Sequence, residues 1–164
     1  IKFLDSRDWF FTVNYTYTDA TVNAAAGDVI IQADGTPISA ELFGIDGQPL
    51  QGTPEHIFNS QFGWESDNDQ FTILFGIVDD RVSRRGLRGL SVVPDVIESP
   101  GPQLDLVYRR KVDVKGQEFN VGLSARNVLN TDHEEFQTSE EAGRSEFNTY
   151  KRGVSFSASL STSF

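Results

Sequence analysis

The sequence predicts an all-β fold, specifically an antiparallel transmembrane β-barrel segment of about six strands. Three observations carry that prediction. The dominant hydrophobic period is two, with no convincing helical stretch. The connections alternate between short turns and long loops, and apolar-phase aromatics gather at the short-turn end. Composition agrees with this class. Hydrophobic residues make up 38% and mean hydropathy is −0.34, with no apolar run near the ~20 residues of a membrane helix. Alternating strands, by contrast, average to near-neutral hydropathy while still presenting one apolar face.

The strands follow in chain order. Trp9, Phe11, Val13, Tyr15 and Tyr17 alternate with Phe10, Thr12, Asn14, Thr16 and Thr18. Phe58, Phe62 and Trp64 alternate with Asn59, Gln61 and Gly63. Phe71, Ile73, Phe75 and Ile77 oppose Thr72, Leu74, Gly76 and Val78. Leu104, Leu106, Tyr108 and Val112 oppose Asp105, Val107, Arg109 and Lys111. From Glu118 to Leu129, Phe119, Val121, Leu123 and Ala125 oppose Asn120, Gly122, Ser124 and Arg126. The last strand, Gly153 to Phe164, sets Val154, Phe156, Ala158, Leu160, Thr162 and Phe164 against five serines. A helix would scatter those two sets around its circumference, whereas a strand separates them.

Short turns are expected at Ser66–Asp69 and Asp113–Gln117, both built of turn-forming residues. Long loops are expected over Asn23–Gly52, Ser83–Gly101 and Asn130–Thr149. Loops of that length are uncommon in compact soluble domains; short turns at one end and long loops at the other fit an outer-membrane barrel. The last strand then ends at the periplasmic rim. Trp9, Trp64, Phe71, Phe119 and Phe164 sit at that rim in the apolar phase, as an aromatic girdle would. A soluble sandwich that buries them as core is the competing reading.

On the opposite phase, Asn14, Thr16, Asn59, Gln61, Arg109, Lys111 and Arg126 are candidates to line the barrel interior. Arg110 breaks the pattern by falling on the lipid-facing phase; snorkelling near the turn or a local bulge would each account for it. In the long loops, Arg84, Arg85 and Arg88 form a basic cluster that either pairs with lipopolysaccharide phosphates or another anion, or is a solvated loop beside Asp95 and Glu98.

No enzymatic constellation emerges. His56 and His133 lie on separate loop–strand boundaries, there is no Cys, and the glycines follow no phosphate-binding spacing. Asp132, His133, Glu134 and Glu135 read as an acidic surface loop sooner than as a calcium site, and Asp79–Asp80 likewise. Neither metal nor cofactor is therefore expected. With 24 acidic against 14 basic residues, the net charge of −10 disfavours a nucleic-acid partner. The chain contains no Met and begins at Ile1, which predicts a processed product or a piece of a longer chain.

The segment LSARNVLNTDHEEF (Leu123–Phe136) resembles the Asn-Leu-Leu-Asn segment near the end of TonB-dependent outer-membrane receptors. As in that family, an acidic loop, a Tyr-Lys-Arg-Gly strand opening and an alternating strand with a terminal Phe follow it. The stretches WFFTVNYTYTDATV, GTPEHIFNSQFGWE, FGIVDDRVSRRG and PDVIESPGPQLDLVY are similar to the family in order and spacing, so the resemblance covers nearly the whole chain. It implies a twenty-two-stranded barrel filled by an N-terminal plug, of which these residues supply the C-terminal part, residues 1–164, without the plug. Six strands cannot close a membrane barrel, since single-chain examples begin at about 8. The implied partners are the rest of the same receptor, TonB acting through the plug, outer-membrane lipid and lipopolysaccharide, and the barrel-assembly machinery. That machinery would read the final strand through Phe156, Leu160 and Phe164. The implied function is active uptake of a scarce nutrient, such as a siderophore, cobalamin or saccharide, across the outer membrane of a Gram-negative bacterium. Two other classes stay open: a structural or adhesive outer-membrane barrel, and a soluble all-β binding module.

Overall fold

The computed structural model describes residues 2–5, 8–44, 46–86 and 93–162. In chain order its strands are β1 (Lys2–Asp5), β2 (Trp9–Tyr17), β3 (Val29–Ile31), β4 (Pro37–Ser39), β5 (His56–Glu65), β6 (Asp69–Val78) and β7 (Arg81–Arg84). They continue with β8 (Val96–Ser99), β9 (Gln103–Val114), β10 (Gln117–Arg126), β11 (His133–Ser139), β12 (Gly143–Tyr150) and β13 (Ser155–Thr162). A single 3-10 turn covers Ala40–Phe43. No helix among the described residues is long and apolar enough to cross a membrane, a statement that does not bear on strands.

The principal sheet is an antiparallel meander of seven strands in the order β1-β2-β5-β6-β9-β10-β13. All six expected strands are in it, paired as sequential neighbours, and β1 adds a seventh at the edge. Register carries the alternation from strand to strand: Trp9 faces Trp64, Trp64 faces Phe71, and Phe71 faces Tyr108. Tyr108 in turn faces Leu123, which faces Ala158. A one-residue slip anywhere would reverse the faces, and the pairings from β2 to β13 run without one. The result is one mainly apolar face and one mainly polar face, each kept in phase from strand to strand.

Tight turns close one end. Between β9 and β10 the loop is only Lys115–Gly116, with φ of 57° and 83°, the two positive values of a type I′ hairpin. Asp113 Oδ1 accepts the Gly116 N–H at 2.9 Å, which fixes the approach. Between β5 and β6, Ser66 N–H donates to the Asp69 carbonyl at 2.8 Å and Asp69 N–H to Ser66 Oγ at 3.1 Å.

The opposite end corrects the expectation of three irregular loops. Two of them, Ser83–Gly101 and Asn130–Thr149, contain strand: together with Arg81–Arg84 they form a second antiparallel sheet in the order β12-β11-β8-β7. That order repeats β13-β10-β9-β6, so each wall strand continues, after a break, into a strand of the second sheet. The loop from 23 to 52 holds the β3–β4 hairpin and the 3-10 turn. Its far end lies on the second sheet, where Gly52 N–H donates to the Val82 carbonyl at 2.8 Å.

The breaks are where the backbone leaves the strand region. Asn127, Asn130, Gly101 and Gly153 all have positive φ, which only Gly and, less readily, Asn adopt cheaply. Asn127 therefore ends β10 three residues before the expected limit at Leu129. Its side chain ties the breaks together: Nδ2 donates to the carbonyls of Thr131 at 3.0 Å and Gly153 at 2.9 Å, and Oδ1 accepts the Thr131 N–H at 3.0 Å. Arg152 donates to the Pro100 carbonyl at 2.8 Å from the facing segment.

Among the described residues the buried hydrophobic side chains are Ala40, Val82 and Val96, none of them in the principal sheet. On that sheet's apolar face Phe156 is 79% exposed, Leu160 68% and Leu123 48%. The chain thus builds a single-layer wall whose apolar face no described element covers.

Candidate functional site

Three surfaces could carry function: the apolar face, the polar face behind it, and the second sheet. On the apolar face, aromatics stand in two rows. At the short-turn end Trp9 stacks on Phe62 at 5.3 Å between centroids and meets Trp64 at 6.4 Å, with Phe71 and Phe119 in the same phase. Phe164 lies outside the described residues. The second row, at the other end of β2 and β5, was not expected. Tyr15 hydroxyl and His56 Nδ1 are 2.7 Å apart, and the His56 ring lies 5.9 Å from that of Tyr15 and 5.3 Å from that of Tyr17. The signal was in the sequence, since Tyr15 and Tyr17 share the apolar phase; only register brings His56, 39 residues beyond Tyr17, directly opposite it.

Arg110 also points to the apolar face. Its register against β6 and β10 is continuous, so no bulge puts it there. Instead Asp69, opposite it on β6, approaches to 3.8 Å and also accepts the Tyr108 hydroxyl at 2.5 Å. The charge is partnered at the turn end of the sheet.

The polar face brings together the seven residues expected to line an interior. Asn14 pairs in register with Asn59, and Thr12 with Gln61, while Thr16 donates to Asn14 Oδ1 at 3.4 Å. Phe10, also on this face, lies over Gly63, where a methyl group would overlap its ring. Arg109, Lys111 and Arg126 are exposed and form no side-chain hydrogen bond or ion pair among the described residues. Around them β10 and β13 present small residues: Gly122 faces Ser159, and Ser124 Oγ bonds Ser157 Oγ at 2.7 Å.

The second sheet places the loop cations. Arg85 is turned inward, its Nη1 2.7 Å from Asp95 Oδ2, while Asp95 Oδ1 accepts the Gly86 N–H at 2.8 Å. Arg85 also donates to the Pro49 carbonyl, so its charge holds the 49–52 segment to the sheet. Arg84 is exposed and lies over the Phe147 ring at 5.2 Å. Arg88 lies outside the described residues. Arg84 and Arg85 therefore have separate partners, Phe147 and Asp95.

Across the same sheet runs a polar rung. Arg81, Glu98 and Glu135 are direct cross-strand neighbours on β7, β8 and β11, with Asn148 of β12 next in line. Arg81 Nη2 is 2.9 Å from Glu98 Oε2, and Asn148 Nδ2 donates to Glu135 Oε2 at 3.2 Å. Burial by itself raises the Glu135 pKa, but hydrogen bonds from Asn148 and Ser83 and the charges of Arg84 and His133 outweigh it, leaving the carboxyl below its ordinary value. His133 stacks on Tyr150 at 4.6 Å and stands 4.0 Å from Glu98. Glu134 projects to the other face, where Arg144 binds it at 2.6 Å. The Asp132–Glu135 run is therefore split between two faces by the strand, and no group of three or more metal-type ligands gathers among the described residues.

These features define an all-β, antiparallel protein with one uncovered apolar face and one polar face. No family model, curated protein or solved structure matches the chain.

Proposed function

We propose that the chain is a wall segment of an outer-membrane β-barrel, of the TonB-dependent receptor type that its motifs resemble, and serves uptake of a scarce nutrient. The observation that carries this reading is the uncovered apolar face, kept in phase over six consecutive strands. Burying apolar surface is worth about 25 cal/mol per Å². A face carrying Phe156, Leu160 and Leu123 in the open would therefore be costly in water and stable against lipid.

The dimensions suit a bilayer. Trp9 and Tyr17, at the two ends of β2, are eight residues apart, about 26 Å along the strand. Tilted by ~40°, that is about 20 Å of height, close to the ~25 Å apolar band of outer-membrane barrels. Trp and Tyr at both boundaries match interfacial belts, and Arg110 beside Asp69 at the turn end is within reach of the interface. Tight turns on one side and a structured sheet on the other support a periplasmic and an outer rim, respectively. The polar face then lines the interior against the plug, and β7, β8, β11 and β12 stand above the membrane, where ligand is enclosed.

Fractionation tests the membrane part: the chain, expressed together with the rest of its barrel in a Gram-negative host, should stay with carbonate-washed outer membranes and show heat-modifiable gel migration. Recovery as a soluble monomer would contradict it. Uptake is tested by deleting this segment from its gene and following labelled iron chelate, cobalamin and oligosaccharide. Loss of protonophore-sensitive uptake of one of them is expected, and unchanged uptake of all three would overturn the transport reading.

A further inference from the structure

The polar face holds two exposed arginines that form no ion pair among the described residues, beside a strand rich in serine. We propose that Arg109 and Arg126 form a binding site for a small oxyanion, a phosphate or carboxylate group carried by a soluble ligand. Both line one cavity of about 190 Å³, which also touches Gly122, Ser124, Ser157 and Ser159. No acidic residue lines it. Asp105, opposite Arg126 by the β9–β10 register, accepts the Asn127 N–H at 2.9 Å, and Glu65, Asp67 and Asp69 share an adjoining groove with Arg109, but neither arginine forms an ion pair among the described residues.

The local sequence creates the opening. Arg109 stands opposite Gly122 on β10, where there is no side chain to cover it, and Gly122 stands opposite Ser159 on β13. A Cβ at Gly122 would come within 2.5 Å of Ser159 Oγ, so a side chain there would have to displace that hydroxyl. Arg126 enters from four residues further along β10, so two guanidinium forks reach one space from neighbouring strands. Planar forks bind phosphate and carboxylate in bidentate fashion, and the serine hydroxyls supply donors for the remaining oxygens. In a chain of net charge −10, two arginines lining one space with no acidic residue in its lining attract anions there.

The site does not depend on the transport reading, because it requires only the polar face. The test uses the full chain in non-ionic detergent, with orthophosphate and malonate as probes and sodium chloride at matched ionic strength as control. Side-chain Nε–H resonances of Arg109 and Arg126 should shift saturably with both oxyanions and not with chloride. Calorimetric affinity should fall at least tenfold in Arg109→Gln and in Arg126→Gln, and stay unchanged in Arg84→Gln, which lies in the second sheet. Shifts that follow ionic strength alone, or equal losses in all three variants, would overturn the site. The resonance shifts of the unsubstituted chain decide the matter even if a glutamine variant folds poorly. Failure of membrane association would leave these outcomes unaffected, so the two proposals fail separately.

Discussion

Asn127 shows how one side chain can hold two sheets in line. It sits at φ 55° and its amide makes three hydrogen bonds across the break, to Thr131 twice and to Gly153 once. Replacing it with Ala forfeits those bonds and keeps a backbone conformation that a Cβ disfavours. A loss of about 2–4 kcal/mol in unfolding free energy is expected. Asn127→Gly, which relieves only the backbone, should recover part of that loss. Urea unfolding in detergent measures both; equal stability of all three proteins would contradict the role. Phe10 and Gly63 make a second residue-scale case. Gly63→Ala should destabilise by roughly 1–3 kcal/mol through overlap with the ring. Combined with Phe10→Ala, the Gly63→Ala change should cost much less, a coupling that a double-mutant cycle reads directly.

At the scale of elements, the wall strands were legible and the second sheet was not. Phe156 and Leu160 against Ser157 and Ser159 state a period of two outright. In β11 and β12, by contrast, both faces carry polar or charged groups, as in His133-Glu134-Glu135 and Gly143-Arg144-Ser145-Glu146, so alternation leaves no hydropathy signal. Their stability comes from cross-strand partners instead: Arg144 with Glu134, Asn148 with Glu135, and Arg81 with Glu98. Arg85 was partly legible: the sequence sets Asp95 near the arginine cluster, but only the β7–β8 pairing makes it the direct partner of Arg85. The motif containing Asn127 was visible as a string, but its work depends on Gly153, which register alone brings near.

The Glu135 carboxyl gives the second sheet a pH dependence of definite sign. Its pKa is below the ordinary value in the folded state. Its contribution is therefore fully present above the unfolded-chain pKa and is lost as pH falls through the lowered folded value. Limited proteolysis within 133–150 should accelerate on acidification below about pH 4, while the wall strands stay protected by detergent. In Glu135→Gln the acid-dependent part of that acceleration should shrink; an unchanged pH profile would contradict the assignment.

At the scale of the whole molecule, the described strands form a wall with two sheet edges, β1 and β13, and an apolar face that no described element covers. A soluble sandwich would cover that face with a second layer; here the second sheet extends the wall strands beyond their breaks. The account makes an asymmetric prediction about charge. Leu123→Arg, on the apolar face at mid-strand, should cost about 2–4 kcal/mol of folding into lipid. Ser159→Arg, on the polar face at similar height, should cost far less, and equal penalties would contradict a lipid-facing wall.

The most direct test uses the absence of Cys from the chain. Single cysteines placed from Ser155 to Thr162 in lipid vesicles can be labelled with a membrane-impermeant maleimide and quenched by brominated lipid through an attached fluorophore. The account predicts a period of two: positions 156, 158 and 160 shielded from water and quenched by lipid, positions 157, 159 and 161 labelled readily and left unquenched. Uniform labelling along the strand, or lipid quenching without alternation, would contradict a wall that divides lipid from a polar interior.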